Sequence, residues 1–259
     1  SLSKHSTLSL LNMFGAIGRY VHSTAALGEP ASVRYVGTIV DDDGTMNLNR
    51  AALPVSHHVA STRPIILTIG SCMNVGKTTT IAKLIESGTR AGYRMGAAKL
   101  AGVEALSALA EFERAGAVDV KSFLDCGLPS TVDADDLAPV FKAVVNALDG
   151  DLVIVELGDG IVGHYHVGTV LADADIMSHV SAVVLCAGDM MAAYGAKHYL
   201  DACGVQITAF SGCATDNVAG SGFLEEWLGI PAVNGLKEPD RLFATLELAL
   251  HAHGAVCVK

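Results

Sequence analysis

The chain has 259 residues, 51% of them hydrophobic and 17% charged, with a formal net charge of −10. That length and apolar content supply one large buried core or two small ones. The acidic balance, without any basic run, argues against a nucleic-acid partner, because phosphate backbones call for clustered Lys and Arg.

In chain order, residues 1–60 differ from the rest. The stretch LSLLNMFGAIGRYV (8–21) reads as a short helix. SVRYVGTIVDDDGTMNL (32–48) alternates and then turns at Asp43-Gly44, which reads as a hairpin. The start resembles a signal peptide only weakly, since Asn12 and Gly15 interrupt its apolar part. Residues 1–60 are therefore expected to form a small α+β segment ahead of a larger domain spanning 61–259.

From Pro64 onward, strands and helices alternate. IILTI (65–69) is an apolar strand, and the helix KTTTIAKLIESGTRAG (77–92) closes on Gly92. YRMGAAKL (93–100) is a strand, VEALSALAEFERAG (103–116) a helix, and AVDVKSFLD (117–125) a strand running into the loop CGLPSTVDADD. A helix over LAPVFKAVVNALDG (137–150) precedes the buried strand DLVIVEL (151–157). SAVVLCAGD (181–189) is a strand leading into the helix MMAAYGAKHYLDACG. VQITAFSG (205–212), SGFLEEWLG (221–229), IPAVNG (230–235) and EPDRLFATLELALHAHG (238–254) read as strand, helix, short strand and helix. Aromatic residues make up only 5%, whereas Ala, Val, Leu and Gly abound. This order and composition predict an α/β fold: a mostly parallel sheet with helices on both faces.

The stretch ILTIGSCMNVGKTTTIAKLI (66–85) carries the chemistry. Gly76-Lys77-Thr78 opens a helix after a strand, as in a phosphate-binding loop. Successive amides at a helix N-terminus meet polyphosphate oxygens there. Asn74, Val75, Gly76, Lys77, Thr78 and Thr79 are the expected nucleotide contacts, Lys77 reaching the terminal phosphates and Thr78 ligating Mg²⁺. The first glycine of the usual G-x-x-x-x-G-K-[ST] pattern is displaced, with Ser71 in its place and Gly70 one residue earlier.

That spacing and the Val-Gly-Lys-Thr ending resemble the loop of dethiobiotin synthetase, in the signal-recognition, MinD and BioD class of P-loop NTPases. Cobyrinate amidases and MobB-type proteins belong with it. DLVIVELGDG resembles the same enzyme's strand end, with Glu156 at the matching place, which implies a role for Glu156 in holding Mg²⁺. GAAKLAG resembles a strand end where that enzyme has a lysine contacting substrate and phosphate, which implies such a role for Lys99. Cys72 stands where the MinD branch has a signature lysine and dethiobiotin synthetase an aspartate.

Further candidates lie at strand ends, which converge on one crevice in a parallel sheet. Asp125 is a candidate for a second Mg²⁺ contact or for orienting a nucleophile, with helix capping as the alternative. Capping is the simpler role for Ser130, Thr131 or Asp133, and the default for Asp189. Asp159 is expected to face the γ-phosphate, and the H-x-H pair His164 and His166 reads first as surface histidines. Asn217 is the candidate base-reading residue, with Asn234 second. The guanine signature N-K-x-D is absent, so ATP is the expected nucleotide.

The resemblance and these residues imply an ATP- and Mg²⁺-dependent enzyme that phosphorylates a small-molecule acceptor (a carboxylate, carbamate or hydroxyl) through Lys77, Lys99, Glu156 and Asp125. The alternatives are a nucleotide-driven switch or metallocentre chaperone with slow hydrolysis, and a module that binds without turnover. Relatives imply a homodimer. Six cysteines, Cys72, Cys126, Cys186, Cys203, Cys213 and Cys257, form no C-x-x-C pair, which argues against a zinc ribbon or disulfide framework and for a cytoplasmic setting. No apolar run reaches membrane-span length, so no membrane partner is expected.

Overall fold

The computed structural model describes residues 7–11, 15–21, 28–103, 106–132 and 134–252. Asp133 and Cys257, singled out above, lie outside them.

Six parallel strands form the central sheet: β6 (Ile65–Gly70), β7 (Met95–Ala101), β8 (Asp119–Ser122), β9 (Leu152–Leu157), β10 (Val180–Cys186) and β11 (Ala209–Ser211). Their order is β11-β10-β6-β9-β7-β8. Strand β6 is central, between β9 and β10, and every residue of β6, β7 and β9 is buried. Such continuous apolar runs are expected of parallel strands covered on both faces.

The helices are α1 (Lys77–Arg90), α2 (Leu106–Arg114), α3 (Ala138–Ala147), α4 (Val167–Leu171), α5 (Ala174–His179), α6 (Met190–Ala202), α7 (Val218–Leu228) and α8 (Pro239–Ala252). Side chains alternate along each strand, so the sheet feeds two cores. On one face Ile66, Met95, Ala97 and Ile154 pack with Ile81, Leu84 and Ile85 of α1, Phe112 of α2, and Leu242, Phe243 and Leu246 of α8. On the other, Ile65, Leu67, Val153 and Val155 pack with Phe141 and Val144 of α3, Ala193 and Leu200 of α6, and Leu224 of α7. Burial of one such large side chain stabilises by about 1.5–3 kcal/mol.

The early residues depart from expectation. Within 8–21 the described residues include two short strands and no helix: β1 (Thr7–Leu10) pairs antiparallel with both β2 (Ile17–Gly18) and β3 (Ser32–Arg34). Cross-strand pairing with residues over 20 positions away, which local spacing cannot reveal, overrides the helical pattern. The hairpin is present, as β4 (Val40–Asp41) and β5 (Gly44–Thr45). The expected short strand at 230–235 reduces to a single bridge, Phe210 to Ala232. Helices α4 and α5, in the unassigned stretch after His166, have no counterpart in the sequence reading.

The connector at 53–63 is fastened to the turn at Phe123–Cys126 and to α3. Leu53 N–H donates to Asp125 O at 2.6 Å and Ser56 N–H to Pro139 O at 3.2 Å. Asn146 Oδ1 accepts from Ala60 N–H at 2.8 Å, and its Nδ2 donates to His58 O at 2.9 Å. The buried Lys142 donates to His57 O at 3.1 Å and pairs with Asp173 at 2.8 Å and Asp175 at 3.1 Å. Among the described residues, no helix is long and apolar enough to cross a membrane.

Candidate nucleotide site

The cleft opens at the carboxyl ends of β6, β7 and β9. It measures about 450 Å³, and its lining includes Asn74, Gly76, Lys77, Thr78, Thr79, Lys99, Glu156, Asp159 and Tyr165. The loop between β6 and α1 turns through left-handed backbone at Asn74 (φ 58°) and Gly76 (φ 90°). No side chain caps α1, so its first-turn amides stay free for an anion. The Val75 side chain is buried beneath the loop, so its expected nucleotide contact falls to its backbone.

The displaced glycine has a steric reason. A Cβ at Gly70 would lie 2.8 Å from Lys77 Nζ and 2.9 Å from Lys77 Cδ. Glycine leaves room where the lysine doubles back over the strand end; a side chain there would push the lysine aside. Ser71, in the usual glycine place, ties the loop to the end of β10: its N–H donates to Cys186 O at 3.0 Å and its Oγ accepts from Gly188 N–H at 3.2 Å.

Lys77 Nζ donates to two carbonyls, Cys72 O at 2.8 Å and Asp159 O at 2.6 Å. It thus bridges the phosphate loop and the loop following β9, where Asp159 holds φ at 53°. Burial pulls the Lys77 ammonium below its ordinary value, against the carboxylates of Glu156 and Asp159 and the thiols Cys186 and Cys72. An incoming phosphate would supply the missing counter-charge.

Glu156, one residue before the end of β9, is almost fully buried. Thr78 Oγ1 lies 3.2 Å from each of its carboxylate oxygens. Burial raises the carboxyl above its ordinary range, while Lys99, Lys77 and the Thr78 hydroxyl pull the other way. Lys99 is aligned with Glu156 across β7 and β9 and makes one long hydrogen bond, to Val103 O at 3.5 Å. A hydroxyl and a carboxylate beside a phosphate loop are hard oxygen donors, a set that suits Mg²⁺ completed by phosphate oxygens and water. Among the described residues, no group of three or more His, Cys, Asp or Glu is arranged to hold a metal by itself. His164 and His166 therefore form no such cluster.

Several sequence candidates fall elsewhere. Asp125 sits in a 3-10 turn, Phe123–Cys126, and closes a capping box with Ser122, whose N–H it accepts at 2.7 Å. It is absent from the cleft lining, because the chain leaves β8 in a turn instead of continuing as strand. Thr131 binds loops together: its Oγ1 accepts from Gly102 N–H at 3.0 Å and donates to Tyr165 O at 3.3 Å. Asp136, not Ser130 or Thr131, serves the start of α3, accepting from Ala138 N–H at 2.9 Å. Asp189 caps α6, as expected.

Asn217 caps α7, accepting from Gly220 N–H at 2.8 Å. It also lines a separate recess of about 400 Å³ with Thr215, Asp216, Asn234 and Lys237. That recess follows β11, whose end is pressed on the phosphate loop: a Cβ at Gly212 would meet Val75 O at 2.2 Å. Asp216 was not singled out in the sequence. Its carboxylate accepts from Asn234 Nδ2 at 3.0 Å, and it stands next to Asn217, which was singled out. Tyr165 was also missed, although it is the middle residue of the H-x-H stretch His164 to His166.

A parallel sheet with the phosphate loop on its central strand, Gly76-Lys77-Thr78 opening α1, and an acid from the adjacent strand touching that threonine define a P-loop NTPase fold. No protein-family model matches the chain, and no curated protein matches it. Solved structures align with part of it. The signal recognition particle receptor FtsY from Elizabethkingia anophelis does so at 18% identity and a TM-score of 0.45, over 73% of this chain and 67% of that one. A duf1611 family protein from Anabaena variabilis ATCC 29413 aligns at 13% identity and 0.46, over 76% and 63%. HypB from Helicobacter pylori, in complex with nickel, aligns at 11% identity and 0.41, over 76% and 90%. The likenesses are partial, and the assignment rests on the chain's own sheet and loop.

Proposed function

We propose that the protein binds a purine nucleoside triphosphate with Mg²⁺, hydrolyses it slowly, and uses the nucleotide to switch the loop after β9. The carrying observation is the double hydrogen bond of Lys77 Nζ, to Cys72 O and Asp159 O. A triphosphate on the loop competes for that ammonium. Lys77 then turns from Asp159 O to phosphate oxygens, and residues 158–166 lose one of the contacts that hold them, leaving Ile161 N–H to Gly70 O and Thr131 to Tyr165 O. Nucleotide state thereby becomes loop conformation.

The residues divide the work. Amides of the phosphate loop and Lys77 would hold the phosphates, and Lys77 would stabilise charge on the transferring group. Thr78 and Glu156 would hold Mg²⁺, whose chemistry is to neutralise the phosphate oxygens and fix their geometry. For the base we infer guanine in preference to the ATP expected above. The Asp216 carboxylate accepts hydrogen bonds, and guanine offers two N–H donors side by side where adenine offers one amino group.

One observation favours a second reading, phosphorylation of a small acceptor. Lys99 is buried in the same cleft with most of its hydrogen-bonding capacity unused, which suits an anionic co-substrate beside the γ-phosphate.

Hydrogen exchange of the full chain, with and without a non-hydrolysable triphosphate and Mg²⁺, tests the switch. Exchange should change across 158–166 and the phosphate loop, and Lys77→Ala should abolish both the change and the binding. Nucleotide bound tightly with 158–166 unaltered would refute the switch. Turnover accelerated many-fold by one small carboxylate, amine or alcohol would favour the acceptor reading. Light scattering with each nucleotide tests the homodimer.

A further inference from the structure

Glu156 is 3% exposed, and its two carboxylate oxygens share a single hydroxyl proton, that of Thr78 at 3.2 Å from each. A carboxylate offers about four acceptor positions, so this one is under-supplied. On the neighbouring strand, Thr68 of β6 pairs in register with Glu156. Directly paired residues present their side chains to the same face. Here that is the face of Ile66 and Ile154, beneath α1. Thr68 is fully buried, and its Oγ1 has no hydrogen-bond partner. Buried polar atoms are rarely left so, and valine would fill the same space without that cost. The hydroxyl stands one strand from a carboxylate short of donors.

We propose that Thr68 is a positioning residue for Glu156: its hydroxyl supplies the second donor to the carboxylate when Thr78 becomes a magnesium ligand. Thr78 has one proton. With its oxygen turned to the ion, that proton points one way and serves one carboxylate oxygen. The other oxygen, facing the sheet, then needs a donor from within the protein. Lys99 flanks Glu156 from β7 and Thr68 from β6, and β6 is buried along its whole length. The Thr68 hydroxyl, without a partner elsewhere in the protein, is thus available to Glu156. This inference rests on the magnesium site proposed above.

The test is binding of a fluorescent nucleoside triphosphate to the full chain, titrated with Mg²⁺ and repeated in EDTA, for wild type, Thr68→Val and Thr68→Ser. In Thr68→Val the Mg²⁺ concentration for half-maximal tightening should rise about tenfold, the effect of losing one hydrogen bond to a charged group. Affinity in EDTA should stay within about twofold, and the melting temperature without nucleotide should not fall. Thr68→Ser should restore the wild-type Mg²⁺ response. A purely packing role predicts lower melting temperature and lower EDTA affinity in Thr68→Val with an unchanged Mg²⁺ midpoint, and that result overturns the proposal. Wild type binding nucleotide without any Mg²⁺ dependence would remove the magnesium site itself, and this inference with it.

Discussion

Replacing Gly212 by alanine probes whether the end of β11 braces the phosphate loop. Gly212 holds φ 79° and ψ −160°, a region that is essentially glycine-only and costs other residues about 1–3 kcal/mol. The new Cβ would stand 2.2 Å from Val75 O and 3.2 Å from Cys186 Cβ, so the loop must retreat by roughly 1 Å from the strand end, a core overpacking worth about 1–3 kcal/mol more. Together these give about 2–6 kcal/mol, a large share of the about 5–15 kcal/mol of a whole domain. At about 2–4 °C per kcal/mol for a chain of this size, the melting temperature should fall by at least about 4 °C. Calorimetry measures that, and fluorescent-nucleotide binding measures the displaced loop, with affinity expected to drop at least about tenfold. Gly195→Ala is the control: it lies in α6 with nothing within 4 Å of its would-be Cβ, and it should stabilise by about 0.5–1 kcal/mol. A Gly212→Ala protein as stable as wild type, with unchanged affinity, would refute the bracing contact.

Asp125→Ala should destabilise by about 0.5–2 kcal/mol through loss of the capping box and leave nucleotide affinity unaltered; an affinity loss in binding assays would return Asp125 to the site. Alkylation followed by mass spectrometry should label the exposed Cys72 and Cys213 and spare Cys186, whose thiol burial pushes up to about 12; nucleotide should slow labelling of Cys72 selectively. The pair Asp173 and Asp175 gives a pH signature. Burial works against the Asp173 carboxylate, but the Lys142 hydrogen bond and the Ile176 amide outweigh it and hold it below its ordinary value. For Asp175 the Val59 amide and then Lys142 act in the same direction. Their contribution is therefore complete above the unfolded value near 3.8 and is lost as pH falls through the lowered folded values. Lys142→Met should flatten that acid limb in pH-dependent melting curves, and an unchanged limb would contradict the assignment.

The parallel core was legible because IILTI and DLVIVEL are buried on both faces and read as continuous apolar runs. Lys77 and Thr78 were legible because a phosphate loop constrains sequence tightly, and Glu156 because the strand end DLVIVELGDG resembles that of a known P-loop family. Lys99 and Asp159 followed from the rule that strand ends converge. Residues 8–21 were misread because Leu8, Leu10 and Leu11 suit a helix face as well as a strand, and the pairing with 32–34 is non-local. Asp125 stayed open between cleft and cap because an acid just past a strand looks the same whether it faces a cleft or closes a capping box. Thr68 was invisible, since a mid-strand threonine has a meaning only once β9 is known to lie beside β6. Lys142 gave no signal because its acids come from a different helix and that helix's cap.

The position of β9 between β6 and β7 also sets a schedule for synthesis. Strands β6 and β7 emerge from the ribosome early, but they cannot settle side by side, because the place between them belongs to a strand made some fifty residues later. Lys77 and Thr78 must wait for Glu156, and the wall formed by β10 and β11 arrives later still. A nascent chain stalled before residue 150 would carry the whole glycine-lysine-threonine signature yet lack the surface that makes it a receptor for triphosphate. Ligand capture should therefore mark the completion of folding and not its beginning.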